Sequence, residues 1–87
     1  MKKREDHIYR ELFGEKVLIM QKPVDDKSVV LTLNETSDLV YQLIDQCDTV
    51  EEIAAHLAEE YDVPADEILN DVRGVLDTFA HCGVIEL

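Results

Sequence analysis

Three histidines, two cysteines and two pairs of adjacent glutamates are the residues whose types suit chemistry in this chain. Their spacing argues against it. His7, His56 and His81 fall on separate stretches, and only His81-Cys82 puts two metal-ligating types side by side. A zinc site there needs two further ligands, and nothing in the spacing brings Cys47 or His56 to it. His56 falls on the polar face of a helical pattern, where a histidine is solvated. Glu51-Glu52 and Glu59-Glu60 occupy the same kind of face and read as solvated surface, not as an acid-base pair in a cleft. No G-x-S-x-G elbow, P-loop, dinucleotide-binding glycine pattern or H-E-x-x-H helix is present. Catalysis, a metal and a cofactor are therefore not expected, and binding is the chemistry left to explain.

Charge narrows the partner. Residues 1–27 hold seven Lys/Arg and six Asp/Glu, a net of +1. Residues 28–87 hold Arg73 against fourteen acidic residues, a net of −13. Phosphate backbones are held by clustered Lys and Arg, so nucleic acid and anionic lipid are poor partners. With 46% hydrophobic and 32% charged residues the composition is that of a globular domain, and 87 residues make one domain, 1–87. Its first six residues are expected to be flexible. No apolar run approaches the roughly 20 residues of a membrane span. The basic start Met1-Lys2-Lys3-Arg4 leads into no apolar segment, so a cytoplasmic location is expected. Cys47 and Cys82 sit in no C-x-x-C pair and read as plain thiols.

The elements that position these residues follow from periodicity. His7 to Phe13, Lys16 to Gln21 and Ser28 to Leu33 are short, β-branched or alternating runs broken at Gly14 and at Pro23 to Lys27. Short connections imply an antiparallel three-stranded meander. After Leu33 the period becomes 3.6. Asn34 is a good N-cap for a first helix over about Glu35 to Gln46, and Thr49-Val50-Glu51-Glu52 is a capping box opening a second. Pro64 suits the first position of a third helix that Gly83 closes, and Val84-Ile85-Glu86-Leu87 reads as a short extended tail. The predicted fold is α+β and winged-helix-turn-helix-like, with a three-stranded antiparallel sheet followed by three helices.

On the third helix Ile68, Val72, Val75 and Phe79 cluster within about 60° and face the core. The apolar arc continues on one side through Leu76, Leu69 and Ala80 and ends at Arg73, reaching about 140° where about 100° covers a core. A stripe this wide belongs either to a well-buried helix or to one lining a groove.

The order of short strings resembles the PqqD family. Leu33-Asn34-Glu35-Thr36 opens the first helix, Gln46-Cys47-Asp48 makes the turn, and Thr49-Val50-Glu51-Glu52-Ile53 starts the second. Tyr61-Asp62-Val63 breaks it, Glu67 to Val72 carries an E-x-x-x-D-V pattern, and Cys82-Gly83-Val84-Ile85 closes the domain. The resemblance spans about Gly14 to Leu87. It implies a RiPP recognition element, a domain that holds the leader of a ribosomally made precursor peptide. Such a domain presents the leader to a modifying enzyme, often a radical S-adenosylmethionine protein. It further implies that the leader adds as a strand beside the third strand, against the third helix.

The residues meet that implication at one place. In a meander the third strand is an edge open to β-augmentation. Val29, Leu31 and Leu33 alternate with Val30 and Thr32, and Leu33, leading into the first helix, puts its face on the core. The candidate peptide-binding residues are Val29, Val30, Leu31 and Thr32 on the strand, with Leu69, Val72, Leu76 and Ala80 as the facing wall. Arg73 stands at the rim, placed either to meet an acidic residue of the ligand or to pair within the protein. With one basic residue in the body, apolar or partly basic leaders are favoured over acidic ones. Three other readings remain: an orphan interaction scaffold, a winged-helix DNA binder, and an acyl-carrier-like protein. Asp66, Glu67, Asp71 and Asp77 on the third helix weigh against DNA. Ser37-Asp38-Leu39 inverts the carrier's Asp-Ser-Leu order, and no helix precedes it.

Overall fold

The computed structural model describes residues 1–21 and 30–86. Strand β1 is Lys2–Lys3, β2 is His7–Leu12, β3 is Glu15–Met20 and β4 is Val30–Leu33. Helices α1 (Glu35–Leu43), α2 (Val50–Tyr61) and α3 (Ala65–Cys82) follow, then β5 (Ile85–Glu86). Strands β2, β3 and β4 form an antiparallel sheet in that order, with Leu18 opposite both Tyr9 and Leu31. The α+β arrangement read from periodicity, three antiparallel strands followed by three helices, is the observed one. The break expected at Pro23 to Lys27 lies outside the described residues, as do Ser28 and Val29.

The β2–β3 hairpin turns on Phe13 and Gly14, both in the left-handed region at φ 52° and 81°. A two-residue turn with two positive φ values matches the twist of the flanking strands. Gly14 adopts it without strain, whereas Phe13 carries a Cβ into a region that L-residues avoid. Its ring is fully exposed, at 104% of its reference area.

Each helix begins and ends where local chemistry supports it. The Asn34 side chain accepts from the Ser37 N–H at 2.8 Å, satisfying one orphan donor of α1. Thr49 Oγ1 accepts from the Glu52 N–H at 3.2 Å, the forward half of the predicted capping box. Pro64 is the N-cap of α3, one position before its expected place, and Gly83 ends the helix at φ 82°. Helix α1 stops earlier than periodicity suggests. The N–H groups of Gln46 and Cys47 both turn back to the Leu43 carbonyl, at 2.9 and 3.0 Å, so the chain tightens into a turn after Ile44.

The core lies between the sheet and the helices. Leu18 and Leu33 from the sheet meet Val40 and Ile44 of α1, Ile53 and Leu57 of α2, and Val72, Leu76 and Phe79 of α3. Tyr41 joins the two layers. Its ring stacks on Tyr9 of β2 at 5.2 Å, meets Phe79 edge-on at 6.1 Å, and carries the Lys3 ammonium 3.9 Å above it. Tyr9 Oη donates to Asp38 Oδ1 at 2.7 Å, fixing β2 against α1. That bond, followed by burial and the Asp38 charge, holds the Tyr9 phenol above its ordinary pKa.

The first residues, expected from sequence to be flexible, pair with the last strand in the structure. Lys2 and Lys3 pair with Glu86 and Ile85, so β1 and β5 form a second, two-stranded sheet. The Arg4 N–H donates to the Val84 carbonyl at 2.8 Å, and Lys3 Nζ meets Asp45 Oδ2 at 2.9 Å. Two-residue strands carry no period, so composition alone could not reveal this pairing.

Candidate functional site

Strand β4 has β3 on one side, and among the described residues no strand pairs with the other. Its burial follows the predicted alternation: Leu33 is buried and Leu31 half-buried, while Thr32 and Val30 are exposed, Val30 at 56%. An exposed edge with a half-apolar face is the feature through which a sheet accepts another extended chain. Beside that edge a cleft of about 460 Å³ opens between β4 and α3. Leu31, Thr32 and Leu33 form one wall, and Asn34, Thr36 and Ser37, at the start of α1, close one end. The facing wall is α3, through Asn70, Asp71, Gly74, Val75, Thr78 and Phe79.

The α3 wall is low and mostly neutral. Asn70, Gly74 and Thr78 repeat every fourth residue and so lie in one row along the helix. A Cβ built on Gly74 would meet nothing within 4 Å, so this glycine marks open space against the helix backbone. The Thr78 hydroxyl donates to the Gly74 carbonyl at 3.0 Å, which leaves its methyl group to the surroundings. Asp71 is the one ionisable side chain among the described cleft residues. The lining holds hydroxyls and amides with no histidine, lysine or cysteine beside them to activate a nucleophile. Such a slot offers an extended chain a free strand edge and places to seat side chains.

Residues 16–85 match the family described as coenzyme PQQ synthesis protein D (PqqD). The chain belongs to the PqqD family. Among solved structures this PqqD-family chain is similar to one described as TbiB1 in complex with the TbiA(beta) leader peptide. The two share 21% identity and superpose with a TM-score of 0.79, over 99% of this chain and 95% of that one. At this identity the likeness is one of fold. No curated protein matches the chain.

Against the PqqD-family fold, the residues singled out from sequence divide in two. Leu31 and Thr32 line the cleft, Val30 stands exposed on the same edge, and Val29 lies outside the described residues. On α3 the expected wall is not where the cleft is. Val72 and Leu76 are buried in the core, at 0% and 2% exposure. Leu69 and Ala80 are half-buried against that core. Arg73 points to the start of α2, where its Nη2 lies 3.9 Å from Glu51 Oε1. None of these five lines the cleft beside β4. The breadth of the apolar arc goes with the packing of α3 against several neighbours: α2 most extensively, and also α1 and β5.

The wall residues that sequence reasoning missed are Asn70, Asp71, Gly74, Val75 and Thr78. One signal pointed to them. A glycine in the interior of a strong helical pattern costs about 1 kcal/mol against alanine and so calls for a packing or functional reason. Gly74 is such a residue, and its row is polar and small, where an apolar wall was sought.

Among the described residues no group of three His, Cys, Asp or Glu side chains is placed to hold a metal ion. Cys47 is buried, and burial pushes its thiol up from the ordinary value.

Proposed function

We propose that this chain is a non-catalytic adaptor that captures the leader of a ribosomally synthesised precursor peptide and presents it to a modifying enzyme. The leader adds as a strand to the free edge of β4 and lies in the cleft against Asn70, Gly74, Val75 and Thr78 of α3. The open edge beside a slot lined by mostly neutral side chains and by Gly74 is the observation that carries this reading. Membership of the PqqD family supports it, as does likeness of fold to a protein solved with a leader peptide.

The physical terms are adequate to the task. An edge of four residues offers about four outward backbone groups for a new strand, since every second residue of an edge faces away from its partner. Each such bond contributes about 0.5–1.5 kcal/mol net, so backbone pairing alone gives weak, sequence-blind binding. Side chains seated against Leu31 and Val75 supply the remaining affinity and the selectivity.

The enzyme partner is, in this proposal, a radical S-adenosylmethionine protein working in the cytoplasm. No helix among the described residues is long and apolar enough to cross a membrane. The net charge of −13 over residues 28–87 disfavours nucleic acid as the ligand.

Titrating the leader of a precursor encoded beside the gene into ¹⁵N-labelled protein tests the proposal. Shift changes are expected to concentrate in residues 30–37 and 70–79. Changes confined to the α2 face of α3, or none with any such leader, would remove the cleft from consideration.

A further inference from the structure

A second cavity, of about 270 Å³, adjoins the cleft. Thr36 and Asp71 line both, so the second opens from the first at the N-terminal half of α3. Its floor is apolar: Tyr61 at the end of α2, Val63 in the link, and Ile68, which is 8% exposed. Glu67 and Asp71 add two exposed carboxylates. Neither has an ion-pair partner among the described residues. The Tyr61 hydroxyl oxygen is buried and has no hydrogen-bond partner among the described residues, although a buried hydroxyl ordinarily finds one.

These features point to one kind of occupant. An apolar floor suits methylene groups, and two exposed carboxylates with no ion-pair partner among the described residues suit an N–H-bearing cation. A carboxylate ligand would meet like charge, and a purely apolar one would leave both carboxylates unanswered. We infer that this cavity is a side-chain subsite of the cleft that takes a lysine or arginine of the bound peptide, its stem on Tyr61, Val63 and Ile68 and its head against Glu67 and Asp71. The inference rests on the proposed peptide-binding role of the cleft and adds to it a specificity at one position of the peptide.

A library of random dodecapeptides, selected separately against the full chain and against its Glu67→Gln/Asp71→Asn double variant, tests it. Gly74→Leu, which fills the cleft, first identifies the peptides that bind there. Among these, Lys or Arg is expected at one fixed position with the wild-type chain and not with the double variant. Norleucine in place of that residue is expected to weaken binding to the wild-type chain about tenfold, the size of one charge-assisted hydrogen bond. The same replacement should leave binding to the double variant nearly unchanged. Because the norleucine comparison uses the wild-type protein, it stands even if the double variant folds poorly. Cleft-dependent peptides with no basic position, or with basic residues spread evenly along their length, overturn the subsite and leave the cleft reading standing. If no selected peptide depends on the cleft, both fall.

Discussion

Arg73 Nη2 lies 3.9 Å from Glu51 Oε1, so the one basic side chain of residues 28–87 faces the start of α2 and not the edge of β4. Both side chains are more than half exposed, at 53% and 69%, and an ion pair so solvated contributes about 0–1 kcal/mol. Replacing Arg73 with Ala is therefore expected to change peptide affinity less than about twofold and to lower stability by less than 1 kcal/mol, within that range. Isothermal calorimetry and a denaturant titration check the two halves. A large loss of affinity would mean that the ligand reaches the α2 side of α3.

Gly74 should show stability and function moving in opposite directions. Alanine there meets no neighbour within 4 Å and removes the entropic cost of a mid-helix glycine. Gly74→Ala is expected to raise stability by about 0.5–1 kcal/mol in urea melts. Gly74→Leu keeps a good helix former but fills the cleft floor, and is expected to cut peptide affinity by about tenfold or more, because packed slots do not yield to added volume. A leucine variant that binds normally would place the peptide elsewhere.

Phe13 is an independent check on the hairpin. Its φ of 52° and full exposure cost stability without any compensating contact from the described residues. Asparagine tolerates that backbone, and Asn-Gly is the preferred pair for this turn. Phe13→Asn is expected to stabilise the domain by roughly 1 kcal/mol, a rise in melting temperature of about 4–8 °C for a domain of this size. A fall in melting temperature would show that the aromatic ring holds something the turn needs.

Acid should weaken the joint between β2 and α1. His7 Nε2 lies 2.8 Å from Tyr41 Oη, and its buried Nδ1 has no partner among the described residues. Burial, then the Lys3 charge, lowers its pKa below the ordinary 6.5, against a smaller opposing pull from Asp6. The folded state thus holds this proton less tightly than the unfolded chain. The stability linked to His7 is complete above pH 6.5 and is lost as the pH falls through the lowered folded value. His7→Gln should remove that component. Between pH 7.5 and 5 the wild-type melting temperature is expected to fall further than that of the variant, and parallel curves would contradict the assignment.

How much of this was legible in the sequence depends on whether a signal was local. The Asn34, Thr49 and Gly83 caps are settled within three or four residues, and each appears in the structure where its sequence predicts. The alternation of Leu31 and Leu33 against Val30 and Thr32 needs only a period of two, and it too is observed. The pairing of Lys2–Lys3 with Ile85–Glu86 spans the chain and leaves no local trace. The expected α3 wall does not line the cleft, for a related reason. Apolar breadth on a helix reports how much of it is covered, not by what, and here Leu76 is buried and Leu69 and Ala80 half-buried against the core. The cleft lies on the other flank, beside a row of small residues that an apolar criterion passes over.

The central claim is that a second chain pairs with the open edge of β4. Amide hydrogen exchange by NMR, with and without a bound leader peptide, tests it most directly. Every second amide of Val30–Leu33 points away from β3 and is free to exchange, and a paired strand would cover these amides. The account expects those amides to slow by about tenfold or more on binding, with the inward ones changed little. Unchanged exchange along β4 at saturating peptide would contradict it, wherever else on the protein protection appeared.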